Sequence, residues 1–91
     1  MLTHVVLMKF TDAADAPQAR ELLTALPGRV PEIQRLTVGL DVVHGDASYD
    51  LCMITEHDSL DGLRAYQGHP AHLEVAGWLR PRLAARASVD F

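Results

Sequence analysis

The first strand-like run of the chain, residues 2–10 (LTHVVLMKF), is largely apolar on both sides, and this restricts the fold more than any other feature. Successive side chains of a β-strand point to opposite faces. One face therefore carries Leu2, His4, Val6, Met8 and Phe10, and the other carries Thr3, Val5, Leu7 and Lys9. Helices packed on the strand cover one face only, so a further layer is expected on the other.

The chain is short for the amount of apolar material it carries. With 91 residues it is predicted to be one domain spanning 1–91, and 48% of its residues are apolar. A chain of this size buries only about 60–65% of the surface that it exposes when unfolded. A second copy of the chain is the natural cover for the remainder, so we expect a homodimer.

Turn and capping signals divide the chain into seven segments. Asp15 and Pro17 are typical of a helix start, as are Ser59 and Pro70, and Gly39 indicates a bulge or a close approach within a strand. The predicted order is a strand at 2–10, a helix at 15–26, strands at 35–43 and 49–56, helices at 59–66 and from 71 to about 80, and a strand at 86–91.

This βαββαβ order is the ferredoxin-like arrangement, an α+β fold with a four-stranded antiparallel sheet and helices on one face. The other face of the sheet is bare in a single chain, which agrees with the two-sided apolar character of the first strand. Apolar residues at helical spacing are predicted to face the sheet: Ala19, Leu22, Leu23, Leu26, Leu60, Leu63, Leu73, Ala76 and Trp78.

Composition argues against several classes of function. The net charge is −4 and there is one lysine, so a phosphate-binding face for nucleic acid is not expected. No stretch approaches the roughly 18 consecutive apolar residues of a membrane span, and no signal peptide is evident at the N-terminus. Cys52 is the only cysteine, which favours a reducing, cytoplasmic location and a packing role for its thiol. No nucleotide or cofactor motif is present, and none is expected to be needed.

The stretch Ala-Tyr-Gln-Gly-His-Pro-Ala-His at 65–72 is the strongest candidate for chemistry. Tyr66 ends one predicted helix and His72 lies in the first turn of the next, while His4 lies on the helix-facing side of the first strand. These three side chains are predicted to converge in an apolar pocket. There a histidine kept neutral by burial serves as a general base, and a tyrosine donates a hydrogen bond to a developing oxyanion.

Other interpretations of the same residues remain open from spacing alone. His69 is expected to cap the junction before Pro70, and Tyr66, His72 and His4 would then simply fasten a helix start to the sheet. A zinc site built from His69, His72 and His4 is a weaker alternative, because the spacing is not the i, i+4 pair of a zinc-binding helix. The arginines Arg80, Arg82 and Arg86 are interpreted as a solvated helix end, and His44 and His57 as solvated residues beside turns.

Three parts of the sequence together resemble the stress-responsive A/B barrel (Dabb) family. They are residues 4–10 (His-Val-Val-Leu-Met-Lys-Phe), the stretch 65–72, and the closing Ser-Val-Asp-Phe. The resemblance implies a homodimer in which two ferredoxin-like sheets face each other as an α+β barrel. The family includes stress-accumulated proteins without demonstrated catalysis and also the plant polyketide cyclase that makes olivetolic acid.

By this resemblance His72 is the general base, Tyr66 holds the substrate carbonyl, and His4 lies nearby. Val6 and Met8 would line the pocket floor, and the walls would be Leu22, Leu23, Leu26 and Leu83. Leucines replace the bulky aromatic residues of the cyclase on the first helix, so a different substrate is expected. The implied function is a cofactor-free aldol-type cyclisation or isomerisation of a small apolar carbonyl or polyketide compound; the alternative is a non-catalytic stress-response or ligand-binding dimer.

Overall fold

A computed structural model describes all residues, 1–91, as four strands and three helices. The strands are β1 (Leu2–Phe10), β2 (Arg35–Leu40), β3 (Leu51–His57) and β4 (Leu83–Asp90); the helices are α1 (Ala16–Thr24), α2 (Leu60–Gly68) and α3 (Pro70–Leu79). Short 3₁₀ turns at Ala13–Asp15, Leu26–Gly28 and Arg80–Arg82 flank the helices.

The four strands form one antiparallel sheet in the order β2-β3-β1-β4. The predicted α+β, ferredoxin-like class, with helices on one face of the sheet, is confirmed. β1 lies at the centre, paired with β3 on one side and β4 on the other. These neighbours pair with both edges of β1, whereas its two apolar faces need cover from other layers.

The core lies between the sheet and the helices. On β1 the predicted inner face is buried, with Val6, Met8 and Phe10 at most 4% exposed. Leu23 of α1 and Leu63 of α2 pack against this layer within one cluster of 16 buried residues. On the opposite face of the sheet Leu7 is 37% exposed, so that face has no cover in a single chain.

Strand β2 is shorter than predicted, because it ends at Leu40 and not at 43. Val42 and Val43 are exposed, and His44 adopts a positive φ of 56° as the chain turns toward β3. The prediction that Gly39 marks a bulge or a close approach is wrong. It pairs regularly with Cys52, and a Cβ at this position would meet nothing within 4 Å.

The helix starts agree with the sequence in part. Ser59 caps α2 as predicted, with its side-chain oxygen accepting from the Gly62 N–H. Asp15 precedes α1 but makes no capping hydrogen bond, because Asp12 instead caps the 3₁₀ turn that leads into this helix.

Two leucines predicted to face the sheet do not do so. Leu60 and Leu73 are 47% and 49% exposed, while Leu63 and Val75 supply the buried contacts of α2 and α3. The predicted inward Trp78 is half-buried. At the C-terminal end Pro81 converts the chain to a 3₁₀ turn, and β4 therefore starts at Leu83, earlier than the predicted residue 86.

Candidate active site

A cavity of about 350 Å³ lies between the helices and the β1, β3 and β4 strands. Its lining is mostly apolar, and six polar or charged side chains reach it: His4, Tyr66, Gln67, His72, Arg80 and Arg86. Such a combination of an apolar wall with a few convergent polar groups is typical of small-molecule sites. Gln67, Arg80 and Arg86 are exposed and therefore form the rim of the cavity.

His72 is fixed by the junction between α2 and α3. Its Nδ1–H donates to the Gln67 carbonyl at 2.8 Å, a bond that spans the turn from one helix to the next. A carbonyl only accepts, so this bond assigns the proton of the neutral ring to Nδ1 and leaves Nε2 with its lone pair. No protein atom hydrogen-bonds Nε2.

The surroundings of His72 disfavour its charged form. Burial, the largest effect, lowers the pKa of the imidazole below its ordinary value. The nearby positive charges of Arg80, His4 and Arg86 act in the same direction. The hydrogen bond to the Gln67 carbonyl raises the pKa but is outweighed. His72 is therefore held as a neutral imidazole near pH 7.

His4 is held by Asp90, a residue that the sequence analysis did not assign to the site. Antiparallel pairing of β1 with β4 sets Asp90 directly opposite His4, and Asp90 Oδ1 bonds to the His4 Nδ1. A carboxylate accepts from Nδ1–H, orients the ring, and stabilises the imidazolium once it forms. His4 is 3% exposed, and no protein atom hydrogen-bonds its Nε2.

Tyr66 lies between two histidine rings. Its ring centroid is 4.6 Å from that of His72 and 5.1 Å from that of His57, and the residue is fully buried. Burial raises the pKa of Tyr66 to about 12, with a smaller opposing effect from Arg86, so its hydroxyl stays protonated. The Met53 Sδ, 3.9 Å away, is its only partner and a weak acceptor. The hydroxyl is therefore available to a ligand oxygen.

The prediction that His57 is solvated is wrong. This histidine is fully buried at the end of β3, where its Nδ1–H donates to the Glu32 carbonyl and its Nε2 accepts from the Thr55 hydroxyl, both at 2.8 Å. Both ring nitrogens are thus used internally. His57 supports the ring of Tyr66 from behind and does not reach the cavity.

His69 has the structural role predicted for it, at the residue before Pro70. Its Nδ1 accepts from the Ala71 N–H at 3.0 Å and caps α3. It does not line the cavity. The three histidines of the zinc alternative are therefore not brought together, and no group of three or more His, Cys, Asp or Glu side chains has metal-binding geometry.

Of the predicted pocket walls, Met8, Leu23 and Leu83 line the cavity. Val6, Leu22 and Leu26 do not. Val6 and Leu26 are fully buried within the core, while Leu22 lies half-buried at its margin. Their places are taken by residues that the sequence analysis did not assign: Met53, Val75, Ala76 and Leu79.

The three arginines near the C-terminus separate into two environments. Arg82 stacks on the Trp78 ring at 4.2 Å and donates to the Trp78 carbonyl, away from the cavity. Arg80 is the exposed C-cap of α3, as the interpretation of a solvated helix end requires, and it also lines the cavity. The interpretation is wrong for Arg86, which lies on β4 and lines the cavity. Pairing of Arg86 with Met8 sets it on the helix-facing side of β4, which is the signal that would have revealed it.

Comparisons with known proteins identify the family of this chain. The family model described as "Stress responsive A/B Barrel Domain" matches residues 2–91. An uncharacterized protein of Streptomyces coelicolor is 29% identical over 84 residues, covering 86% of this chain and 87% of that protein.

Solved structures agree with this result. A dimeric ferredoxin-like protein of unknown function from Thermobifida fusca is 31% identical, with a TM-score of 0.86, and the match covers 99% of this chain and 88% of that chain. A hydroxynitrile lyase from Passiflora edulis has a TM-score of 0.83 at 16% identity, covering 99% and 90% of the two chains, which indicates a shared fold alone. None of the helices has the length and apolar character required to cross a bilayer.

Proposed function

This chain belongs to the stress responsive A/B barrel family, and we propose that it is a cofactor-free acid–base enzyme acting on a small apolar carbonyl compound. The observation that carries the proposal is the pair of histidines, His4 and His72, on one cavity. Each has its Nδ1 engaged by the protein and its Nε2 free of protein partners. Two imidazoles with the same anchoring but different surroundings are suited to opposite roles in proton transfer.

His72 is the proposed general base. Its Nε2 lone pair removes a proton from the carbon next to the substrate carbonyl, and its depressed pKa keeps this lone pair available at neutral pH. The electron pair of the broken C–H bond then forms an enolate. The adjacent arginine charges favour this anion while they disfavour protonated His72.

His4 and Tyr66 are the proposed partners of the carbonyl oxygen. The Asp90 carboxylate bonds to the His4 Nδ1 and orients the ring, and in its imidazolium form His4 would donate its Nε2–H to the developing oxyanion. The Tyr66 hydroxyl stays protonated and has no strong internal acceptor, so it supplies a second donor. In an aldol-type cyclisation the enolate carbon attacks a second carbonyl of the same molecule, and the proton held by His72 is returned to the resulting alkoxide. In an isomerisation the same proton is returned to a different carbon of a conjugated enolate.

The first half-reaction is testable without the natural substrate. Exchange of α-protons for deuterium in D₂O, followed by NMR, is measured for 2-octanone and its carboxylate-bearing analogue 7-oxooctanoate. We expect the protein to accelerate exchange of at least one probe about 100-fold or more over buffer, the usual gain from a positioned general base. Rates equal to buffer for both probes would favour the non-catalytic, ligand-binding function instead.

We further propose that two copies pair through the open faces of their sheets, as the dimeric description of the Thermobifida fusca relative suggests. The centre of this face is apolar: Val5 and Ile54 pair across β1 and β3 and are half-buried, and Leu7 is 37% exposed beside them. A second copy would cover these side chains and leave the cavity on the other side of each sheet unobstructed.

Leu7→Glu is expected to convert the dimer to monomers, because it places a charge on each side of the two-fold interface. Loss of two buried leucines alone weakens association by about 3 kcal/mol or more, over 100-fold. Light scattering coupled to gel filtration measures the mass. Leu73→Glu, at a leucine of similar exposure on α3, is the matched control and should remain dimeric. A dimeric Leu7→Glu protein would place the interface elsewhere.

A further inference from the structure

Two arginines at the cavity rim have no protein partner. Arg80 follows α3 and Arg86 lies on β4, and both line the cavity together with His72. Neither guanidinium takes part in a salt bridge or a side-chain hydrogen bond. Of the other arginines, Arg29 pairs with Glu74, Arg35 with Glu56, and Arg82 stacks on Trp78. Arg20 and Arg64 are also unpaired, but they do not line the cavity.

No carboxylate neutralises this pair of charges within the cavity. None of the 13 lining residues is acidic, although the chain as a whole has a net charge of −4. On the same face of β4 as Arg86, the Asp90 carboxylate is already bonded to His4. The lining of the cavity therefore carries two guanidinium charges and no carboxylate.

The effect of these charges extends to the groups inside the cavity. Both arginines lower the pKa of His72, and Arg86 also acts on the Tyr66 hydroxyl. Arg80 and Arg86 are thus close enough to act on a ligand whose reacting carbon lies at the His72 Nε2. Guanidinium groups favour ligands with two or more anionic oxygens, which they bind through paired N–H donors.

We propose that Arg80 and Arg86 form an anion-binding subsite, and that the ligand has an apolar body within the cavity and a carboxylate or phosphate group at the rim. The volume of about 350 Å³ holds roughly a dozen water-sized groups, which corresponds to a compound of about that many non-hydrogen atoms. The inference rests on the proposed function only in taking this cavity as the binding site, and it narrows the substrate class to anionic carbonyl compounds.

The test compares three ligands of equal chain length: octanoate, octyl phosphate and 1-octanol. Binding to the full chain at pH 7 is followed by calorimetry, and the site is identified by NMR shifts of the His72 ring. We expect at least one anion to bind about tenfold or more tightly than 1-octanol, as expected for charge-assisted hydrogen bonds. The more tightly bound of the two anions identifies the head group.

Substitution of the two arginines tests whether they cause the tighter binding of the anions. Arg80→Gln combined with Arg86→Gln should reduce anion binding to the level of 1-octanol, whereas the double lysine variant should retain most of the preference. Arg64→Gln, at an exposed arginine on α2, is the matched control and should bind like the wild type. Circular dichroism verifies that each variant is folded.

Equal binding of all three ligands, absence of binding, or a preference that survives the double glutamine variant would overturn the proposal. These outcomes are distinguishable from failure of the proposed function. Octanoate or octyl phosphate bound through the arginines without any α-proton exchange leaves the anion subsite standing and removes the catalytic role. Exchange of α-protons without any preference for anions would leave the catalytic role standing and remove the anion subsite.

Discussion

Replacing His72 by glutamine is expected to reduce the rate of α-proton exchange by about 10²–10⁴-fold, the usual contribution of a general base. The amide is similar in size to the imidazole but has no basic nitrogen, so no group remains to accept the proton. The fold should persist, because His72 is only half-buried and gives up a single hydrogen bond, to the Gln67 carbonyl.

The matched control for this change is His44→Gln. His44 is exposed in the segment between β2 and β3 and does not line the cavity, so its replacement should leave the exchange rate unchanged. Circular dichroism and gel filtration of both variants show whether a lower exchange rate results from loss of the base or from loss of the folded structure. A His72→Gln protein that keeps a tenth or more of the wild-type rate would exclude His72 as the base.

Replacing Tyr66 by alanine is expected to lower the free energy of unfolding by about 3–5 kcal/mol, a large part of the stability of a domain of this size. The side chain is fully buried, and the change would also remove the packing of two histidine rings, those of His57 and His72. Urea denaturation measures the loss.

Tyr66→Phe separates the hydroxyl from the ring. It should cost less than about 1 kcal/mol of stability, because the hydroxyl gives up only a long contact with the Met53 sulfur. The exchange rate should nevertheless fall about 100-fold if the hydroxyl supports the oxyanion. A phenylalanine variant with the full exchange rate would show that Tyr66 contributes to packing and not to the exchange reaction.

The fold could be predicted from the sequence because its strongest signals are local. The β-branched, apolar run of β1, the Ser59 cap and the Gly-His-Pro junction at 68–70 each indicate one element, and their order leaves few alternative topologies. The ends of β2 and β4 could not be predicted as well. Val42 and Val43 are typical of a strand, yet they extend beyond the last residue paired with β3.

The site could be predicted only where its residues belong to those local signals. The junction indicates His72 and Tyr66, and β1 indicates His4. Asp90 and Arg86 could not be found in this way, because the closing segment LAARASVD has no clear alternation of apolar and polar residues. Which of its side chains face the helices depends on the register of β4 with β1. This register is a long-range property that pairs residues 86 positions apart.

His57 also could not be placed from local sequence signals, because it was predicted to be exposed and is buried. Its place beside a turn suggested exposure, but the Glu32 carbonyl, 25 residues away, and the ring of Tyr66 on the next helix keep it within the core. Arg86 was misassigned for a related reason. It is near Arg80 and Arg82 in the sequence, and only the tertiary structure places it on β4 and separates Arg82 from the cavity-lining Arg80 and Arg86.

The most direct test of the central claim, that His72 is a neutral base with a free Nε2, is an NMR titration of its ring nitrogens in the wild-type protein. At pH 7 we predict Nδ1 protonated and Nε2 unprotonated, as the bond to the Gln67 carbonyl requires. The protonation midpoint should lie below the ordinary value of 6.5, so the base form persists as the pH falls toward that midpoint. A midpoint at or above 6.5, or a proton on Nε2 at pH 7, would contradict the account.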